Sequence, residues 1–561
     1  MNTNIRERQH KDIGEDVYEY YQFLTDKVTG GEFQNVSFLS FDSSEPPCPI
    51  GPGQFTRLKL TDGSCQITSF QNSFIQLEIR TELNWDFEYK NMFSDILAAM
   101  GAQEGPKMVT LLTQMPILYV GFKSGLHAID HYRFYNSLHP GPLCEQSQAI
   151  YESALTYMTK SEEEITNKLN RYAVPDELDE GKEDVPGVFL TFGDLISYNK
   201  KPVTFTVNIP YDDFAPLQFF KNYPNSICGD LQLEFKVNNN KNFVCYPLNF
   251  KQMLIKQIKK TGTFSTINDL FTNSFTTERT ATQLSVLFNS FDFDNERHMT
   301  NCGDQNGIEA ITIADSTGPL MALYQSHVNV SASSLYLISA KSFINCYNIP
   351  HERHEQLRDL LSSNKIYIPA QRIDQYTFSQ TPTISSMNCN TTQSLVNCSA
   401  LAFTWPRSPN ELTCSVNPYM SSIQLQIDNK TYPDKPFSTY SIEHANYILS
   451  NLVFDDFFSP NKSLEKSLTT KKEYEENTNY TFIVSLERLD SSPFVFEGLT
   501  KDNCYITLNG TFDSSYQPYS KLSTRQNPIM FVCQDTLWEL STGDINYYYN
   551  DRSIIPRISN K

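Results

Sequence analysis

Three residues in the sequence have the types and spacing that metal-dependent catalysis requires. His351, His354 and Glu355 would share one face of a helix, because residues three and four apart on a helix are neighbours. Imidazole and carboxylate groups are common zinc ligands. Their order matches no zinc-protease motif, however, and charged residues are frequent in the first turn of a helix. We therefore interpret the group as the start of a surface helix, with a metal site as the alternative.

A second group contains alternating carboxylates. Asp292, Asp294 and Glu296 could ligate calcium through their oxygen atoms. An EF-hand loop also needs a glycine at its sixth position and a later bidentate glutamate, and this stretch supplies neither. We interpret these residues as part of an exposed loop or a strand edge.

A third group could provide a general base. His127 and His131 lie four residues apart, and Asp130 could orient either imidazole. The surrounding residues are aromatic, which favours packing over catalysis. The common catalytic and nucleotide-binding motifs GxSxG, GxxxxGK[ST], HExxH and GxGxxG do not occur. We therefore predict no catalytic, cofactor-binding or metal-binding residues, no cofactor and no enzymatic activity.

Charge argues against extensive binding of nucleic acid. The chain has 45 Lys and Arg against 64 Asp and Glu, a formal charge of −19, which repels phosphate backbones. The basic residues between Arg6 and Lys11 are diluted by acidic neighbours, so we interpret this arm as a solvated or docking tail. The rings at positions 547–549 have only Arg552 and Arg557 as nearby cations, and we predict that they pack or contact another subunit.

Targeting signals and oxidised cysteines are not evident in the sequence. The most apolar stretch, Met108 to Phe122, is interrupted by polar residues and is shorter than the roughly 20 residues of a membrane span. The N-terminal segment has no apolar core of a secretory signal. The 12 cysteines form no CxxC pair, and we interpret them as reduced and mostly buried. Eight N-x-S/T sequons are attributed to chance: Asn35, Asn329, Asn390, Asn397, Asn429, Asn461, Asn479 and Asn509.

The elements that would position these groups are mainly β-strands. Apolar and polar residues alternate in 75–85, 203–209 and 231–237, which is typical of strands with one buried face. Turns are predicted at Asp428-Asn429, Asn509-Gly510 and 542–544, and helices at 15–24, 144–172 and 351–362. Further strands are predicted at 284–288, 335–339, 365–369, 401–405, 423–427, 480–486, 505–508 and 529–533.

Several segments, in this order, resemble the double jelly-roll major capsid proteins of the Polinton/Maverick, polinton-like virus and virophage lineage. The first is a strand pair, ILYVGFKSGLHAIDHYRFYN, followed by the helix-like QSQAIYESAL. Next come the step FTVNIPYDDFAPL with GDLQLEF, the strand LAFTWP, and the strand and turn IQLQIDNKTYPDKPFST. These segments occupy residues 117–136, 146–155, 205–217, 229–235, 401–406 and 423–439.

The resemblance implies an all-β fold of two tandem eight-stranded antiparallel jelly-roll sandwiches with a few short helices in loops. The length of 561 residues fits, because all-β units commonly contain about 200–250 residues. We predict an N-terminal arm and linker at 1–50, a first jelly roll at 51–255, a second at 256–545 and a C-terminal tail at 546–561.

The resemblance also implies a function and partners. The chain would be the major capsid protein of a DNA virus, located in the virion after assembly inside the host cell. It would form pseudo-hexameric homotrimers that tile an icosahedral capsid, beside a penton protein and minor capsid proteins. Genome contact would be at most weak and non-specific, through the N-terminal arm. The alternatives are a secreted or surface glycan-binding protein of the lectin or adhesin type, and a cupin-like enzyme that uses the His351 group.

Overall fold

The structure is a computed structural model, and its description is limited to part of the chain. The N-terminal helix at 15–24, the strand at 284–288, the acidic group at 292–296 and the domain boundary at 255 lie outside the described residues. The described residues are 34–42, 51, 53–61, 63–86, 106, 109–110, 113–114, 116–122, 124–146, 186–191, 193–194, 202–218, 220–237, 243–247, 300–301, 329–363, 365–379, 385–408, 411–415, 417–439, 441, 480–486, 498–513 and 527–548.

Antiparallel strands make up most of the described chain, which confirms the predicted all-β class. The α-helices used below are α1 (Asn225–Cys228) and α2 (His351–Ser363), and helical residues also occur at 106, 109–110, 113–114 and 193–194. The strands are β1 (Gln34–Asp42), β2 (Phe55–Lys59), β3 (Ile67–Asp86), β4 (Pro116–Phe122), β5 (Ile129–Asn136), β6 (Pro142–Gln146), β7 (Gly187–Thr191), β8 (Pro202–Pro210), β9 (Asn222–Tyr223), β10 (Leu231–Val237), β11 (Phe243–Pro247), β12 (Thr300–Asn301), β13 (Asn329–Asn348), β14 (Ile366–Thr377), β15 (Ser386–Thr404), β16 (Pro406–Ser408), β17 (Glu411–Ser415), β18 (Met420–Ile427), β19 (Lys430–Phe437), β20 (Thr481–Ser485), β21 (Leu499–Phe512), β22 (Ile529–Ser541) and β23 (Asp544–Tyr548).

Alternating sequence produces these strands, as expected. In β10, Leu231, Leu233, Phe235 and Val237 are buried, and the intervening residues are half-buried. The same alternation holds through the middle of β3. Because successive side chains of a strand point to opposite faces, this pattern places one face of each sheet on a core. The strand predictions at 75–85, 203–209 and 231–237 are confirmed.

The first β unit is built from three sheets around one core. One sheet has the order β1-β13-β3-β8, with β9 also paired to β3. The second has the order β2-β10-β5-β6, and a smaller third has the order β12-β11-β4-β7. Strands β2, β3, β4, β5, β8, β10 and β13 all contribute buried apolar residues to this core. Their packing face to face gives the unit its sandwich character.

The second β unit contains an eight-stranded sheet and its own core. The sheet has the order β14-β22-β15-β21-β18-β19, with β20 paired to β15 and β23 to β22. Apolar residues of β15, β18, β20, β21 and β22 form the second core. Two β units, each with a core, are therefore present, as the fold prediction requires.

Two local predictions are wrong. Cys144 to Gln146, expected to begin a helix, belong to β6, because Cys144 is buried against the first core as β6 pairs with β5. The remainder of that helix, beyond residue 146, lies outside the described residues. Asn509-Gly510, expected to form a turn, continues β21 as it pairs with β15 and β18 on both sides. The turns at Asp428-Asn429 and at residues 542–543 are confirmed.

Candidate functional site

The predicted helix at 351–362 is confirmed as α2, but it does not assemble a metal site. His351 is exposed, and the His354 Nδ1 atom lies 4.0 Å from the Glu355 carboxylate. The other ring nitrogen of His354 is hydrogen-bonded to the Ser226 hydroxyl at 2.9 Å. Across the described residues, no three His, Cys, Asp or Glu side chains come together in a way that could hold a metal ion. His354 therefore links α2 to the first unit.

The His127 group is also separated by the fold. His127 is buried in a one-turn 3₁₀ helix, Gly125–Ala128, whereas His131 lies on β5 and contacts the Glu145 carboxylate at 2.7 Å. Asp130 forms an ion pair with Lys236 at 3.2 Å. The three residues therefore do not form an acid–base pair, and each belongs to the packing or surface of the first unit.

The arrangement that distinguishes this molecule is the connection between its two cores. Strands β14 and β22 pair continuously over twelve positions, from Ile366 opposite Leu540 to Thr377 opposite Ile529. We call this strand pair the bridging ribbon. At one end its side chains, such as Ile368 and Trp538, enter the first core. At the other end, those of Ile373 and β22 residues 530–533 enter the second. One continuous ladder thus belongs to both units.

Trp538 anchors the bridging ribbon in the first unit. Its side chain is fully buried, and its indole N–H donates a hydrogen bond of 2.6 Å to the carbonyl oxygen of Pro216. Its ring centroid lies 4.6 Å from that of Tyr547 and 6.0 Å from that of Phe220. Burying a tryptophan removes a large apolar surface from water, and the paired N–H avoids the cost of desolvation. The predicted packing of the residue 547 ring is confirmed.

A polar belt crosses the bridging ribbon where it passes from one core to the other. Gln371, Gln534, Asp535 and Thr536 are all at most 8% exposed. The Thr536 hydroxyl donates to the Tyr547 hydroxyl at 2.8 Å, and the Tyr547 hydroxyl donates to the Gln371 carbonyl oxygen at 3.3 Å. Buried polar groups of this kind fix register, because shifting the strands by one residue would break the hydrogen bonds.

Asp535 is the titratable group of this belt. Burial raises its pKa from the ordinary 3.8 to about 8, and hydrogen bonds from Ser399 and Gln371 oppose the shift only in part. Its Oδ2 atom is buried without a hydrogen-bond partner. Low dielectric disfavours the charged carboxylate, so the protonated form is favoured at neutral pH.

Further contacts close the edge of the junction between the units. The Gly543 amide donates to the Ile227 carbonyl oxygen at 3.0 Å, which joins the β22–β23 turn to α1. A ring nitrogen of His139, in the β5–β6 hairpin, lies 2.7 Å from the Asp544 carboxylate. Sequence reasoning did not identify these residues, since nothing in their spacing indicates contact with positions hundreds of residues away.

The cysteines whose side chains are described lie inside the fold, whereas the sequons differ in exposure. Asn397 is fully buried and its side-chain oxygen accepts a hydrogen bond from Thr500, so this sequon is inaccessible in the folded state. Asn429, by contrast, is exposed in the β18–β19 turn. Eight cysteines whose side chains the structure describes are free and buried, as predicted: Cys65, Cys144, Cys228, Cys346, Cys389, Cys398, Cys504 and Cys533.

Comparisons with known proteins gave similarities to solved structures only. No protein-family model and no curated protein matched the chain. The mavirus major capsid protein is 9% identical, with a TM-score of 0.45, over 94% of this chain and 93% of that chain. A chain of the Sputnik virophage structure is 11% identical, with a TM-score of 0.45, over 94% and 92%. The Faustovirus major capsid protein is 7% identical, with a TM-score of 0.42, over 91% of each chain.

Two of these three are viral major capsid proteins. Among the described residues, no helix is long and apolar enough to cross a bilayer.

Proposed function

We propose that this chain is a non-enzymatic structural protein, the major capsid protein of a DNA virus, and that it resides in the virion. The observation that carries the proposal is the continuous strand pairing that joins the two β units through the bridging ribbon. A shell subunit must hold its shape while it contacts copies of itself, and two fused sandwiches with one shared ladder provide such a block. The ordered sequence segments that resemble double jelly-roll capsid proteins support the same assignment.

The assembly that follows from this proposal is a homotrimer. Three copies of a two-unit chain present six similar β units in a ring, which gives a pseudo-hexameric outline suited to an icosahedral lattice. Closed rings form when the contact between copies is heterologous and the rotation closes. Penton and minor capsid proteins would be further partners. The limits 51–255 and 256–545 for the two jelly rolls, with an arm at 1–50 and a tail at 546–561, remain part of the proposal. Strands β1 and β13 lie outside the first of these ranges, yet both pair within a sheet of the first unit.

Light scattering coupled to size-exclusion chromatography tests the assembly directly. We expect the full chain to elute as a species of three times 64.4 kDa, about 193 kDa, or as larger shells visible by negative-stain electron microscopy. A stable monomer at micromolar concentration contradicts the proposal. Intact mass spectrometry of the native protein tests the glycan-binding alternative, since glycan mass on the chain would favour a secreted protein.

A further inference from the structure

We infer that the outer face of the β2-β10-β5-β6 sheet is the surface through which one copy of this chain docks on the next. This inference rests on the proposed function, and it names the surface that the assembly would use. We call the surface the docking face. Its side chains are Phe55, Arg57, Lys59, Asp130, His131, Arg133, Tyr135, Glu145, Glu234 and Lys236, all on the side of the sheet opposite the first core.

The docking face combines exposed aromatic area with arginine. Phe55 is 45% exposed, and the Arg133 guanidinium lies 5.1 Å from the centroid of its ring. The Arg57 guanidinium lies 4.3 Å from the centroid of the Tyr135 ring, and the Arg57 side chain is 49% exposed. Aromatic and arginine side chains are the residues that most often carry binding energy in protein interfaces.

The side chains of the docking face are already fixed in place. Glu234 accepts hydrogen bonds from Arg57 at 3.0 Å and from the Tyr135 hydroxyl at 3.0 Å. Glu145 accepts a hydrogen bond from Arg133 at 2.9 Å. Burial opposes the shift, but Arg133 and His131 together hold the pKa of Glu145 below its usual range. Association costs less entropy when long side chains are ordered beforehand, so this network preorganises the surface for binding.

Local charge identifies a second copy of the chain as the occupant. The whole chain carries 19 more anionic than cationic residues, so two copies repel each other over most of their surfaces. On the docking face the cations Arg57, Lys59, Arg133 and Lys236 outnumber the anions Asp130, Glu145 and Glu234. A slightly basic, aromatic patch is thus complementary to the acidic remainder of a neighbouring copy. Such a contact joins two different surfaces, as a closed three-membered ring requires.

A paired substitution of exposed residues tests the docking face. We expect Phe55→Ala with Arg57→Ala to raise the dissociation constant of the trimer by about tenfold or more, measured by sedimentation velocity over a concentration series. Tyr505→Ala is the matched control, because Tyr505 is an aromatic residue of similar exposure, 47%, on the second unit. The control is expected to leave the dissociation constant unchanged.

The outcomes separate this inference from the proposed function. A wild-type monomer would overturn both. A wild-type trimer with an equally stable trimer for the double variant would overturn the docking face and leave the capsid assignment in place. If the variant loses its far-ultraviolet circular dichroism, hydroxyl-radical labelling of the wild-type protein decides. Protection of Phe55 and Tyr135 in the trimer relative to dilute monomer supports the docking face, and equal labelling overturns it.

Discussion

At the scale of single residues, Asp535 shows how the fold changes the chemistry of a side chain. The carboxyl group lies in the polar belt between two apolar cores, and burial raises its pKa to about 8. In the unfolded chain the same group has an ordinary pKa of 3.8. A raised folded-state pKa stabilises the fold at low pH, and this contribution is lost as pH rises through the folded-state value.

Asp535→Asn is therefore expected to stabilise the protein at pH 8 to 9 and to have little effect near pH 4. The amide keeps the shape and hydrogen-bonding capacity of the protonated acid but does not ionise. The measurement is the midpoint of thermal unfolding of both proteins at each pH. An equal difference between the unfolding midpoints of the two proteins near pH 4 and at pH 8 to 9 would contradict the expectation.

Asp428→Asn serves as the control, because the fold lowers the pKa of Asp428 instead of raising it. Asp428 accepts hydrogen bonds from Lys501 and from the Tyr505 amide, and these lower its pKa below the ordinary value of 3.8. Its contribution to stability is present above the ordinary pKa and is lost as pH falls through the lowered folded-state value. The wild type should thus lose this advantage over Asp428→Asn only in acid.

At the scale of elements, close contact between strands makes some glycines irreplaceable. A Cβ atom on Gly187 of β7 would lie 2.5 Å from the Val120 carbonyl oxygen and 2.6 Å from the Tyr119 hydroxyl. Both atoms are fixed, because Val120 is on the paired strand β4 and the Tyr119 hydroxyl donates to the Phe122 carbonyl oxygen at 2.7 Å. The pairing of β4 with β7 therefore depends on the missing side chain.

Gly187→Ala is expected to destabilise the first unit by about 1–3 kcal/mol, the usual cost of overpacking. The free energy of unfolding in urea, followed by circular dichroism, measures the effect. Gly141→Ala is the control, because a Cβ atom at residue 141 would have no neighbour within 4 Å. Equal free energies of unfolding for the two variants would show that β4 and β7 can accommodate a Cβ atom at residue 187.

Sequence alone locates most accurately the strands that are buried on one face. Alternation located β10 to its terminal residues, and the turn residues Asp428 and Asn429 located the β18–β19 hairpin. Strand β22 was recognised only at 529–533, because its central residues are buried on both faces and lose the alternation. The pairing of β3 with β13 joins distant parts of the chain, and no local signal encodes such a partner.

For the candidate site too, local features can be predicted from the sequence, whereas contacts between distant residues cannot. The sequence indicated that the His351 group was structural, and the structure places His354 against Ser226. It did not indicate the role of Trp538, whose partner Pro216 is 322 positions away. Strand β1 lies in the segment interpreted as an arm, and it pairs with β13 at the edge of a sheet. Whether a segment such as β1 joins the fold depends on strand pairing with a distant part of the chain, and composition does not indicate that pairing.

At the scale of the whole molecule, the two cores are expected to unfold together. They share the bridging ribbon, so neither can lose its packing without exposing apolar surface of the other. Differential scanning calorimetry of the full chain should show one transition. Two well-separated transitions in the wild type would contradict this coupling.

Trp538→Phe tests whether the contacts of Trp538 make the two cores unfold together. The substitution removes the hydrogen bond to Pro216 and part of the ring packing, which should cost about 1–3 kcal/mol and separate the two transitions. Trp405→Phe is the control, since Trp405 is buried in the second core alone. It should lower the transition temperature while the unfolding remains a single event.

The late position of β22 in the chain has a consequence for biosynthesis. Both cores need side chains from residues 530–540, so neither is complete until the ribosome has passed that point. A polypeptide that lacks this segment, whether truncated or still growing on the ribosome, therefore leaves apolar surface of both cores exposed to water.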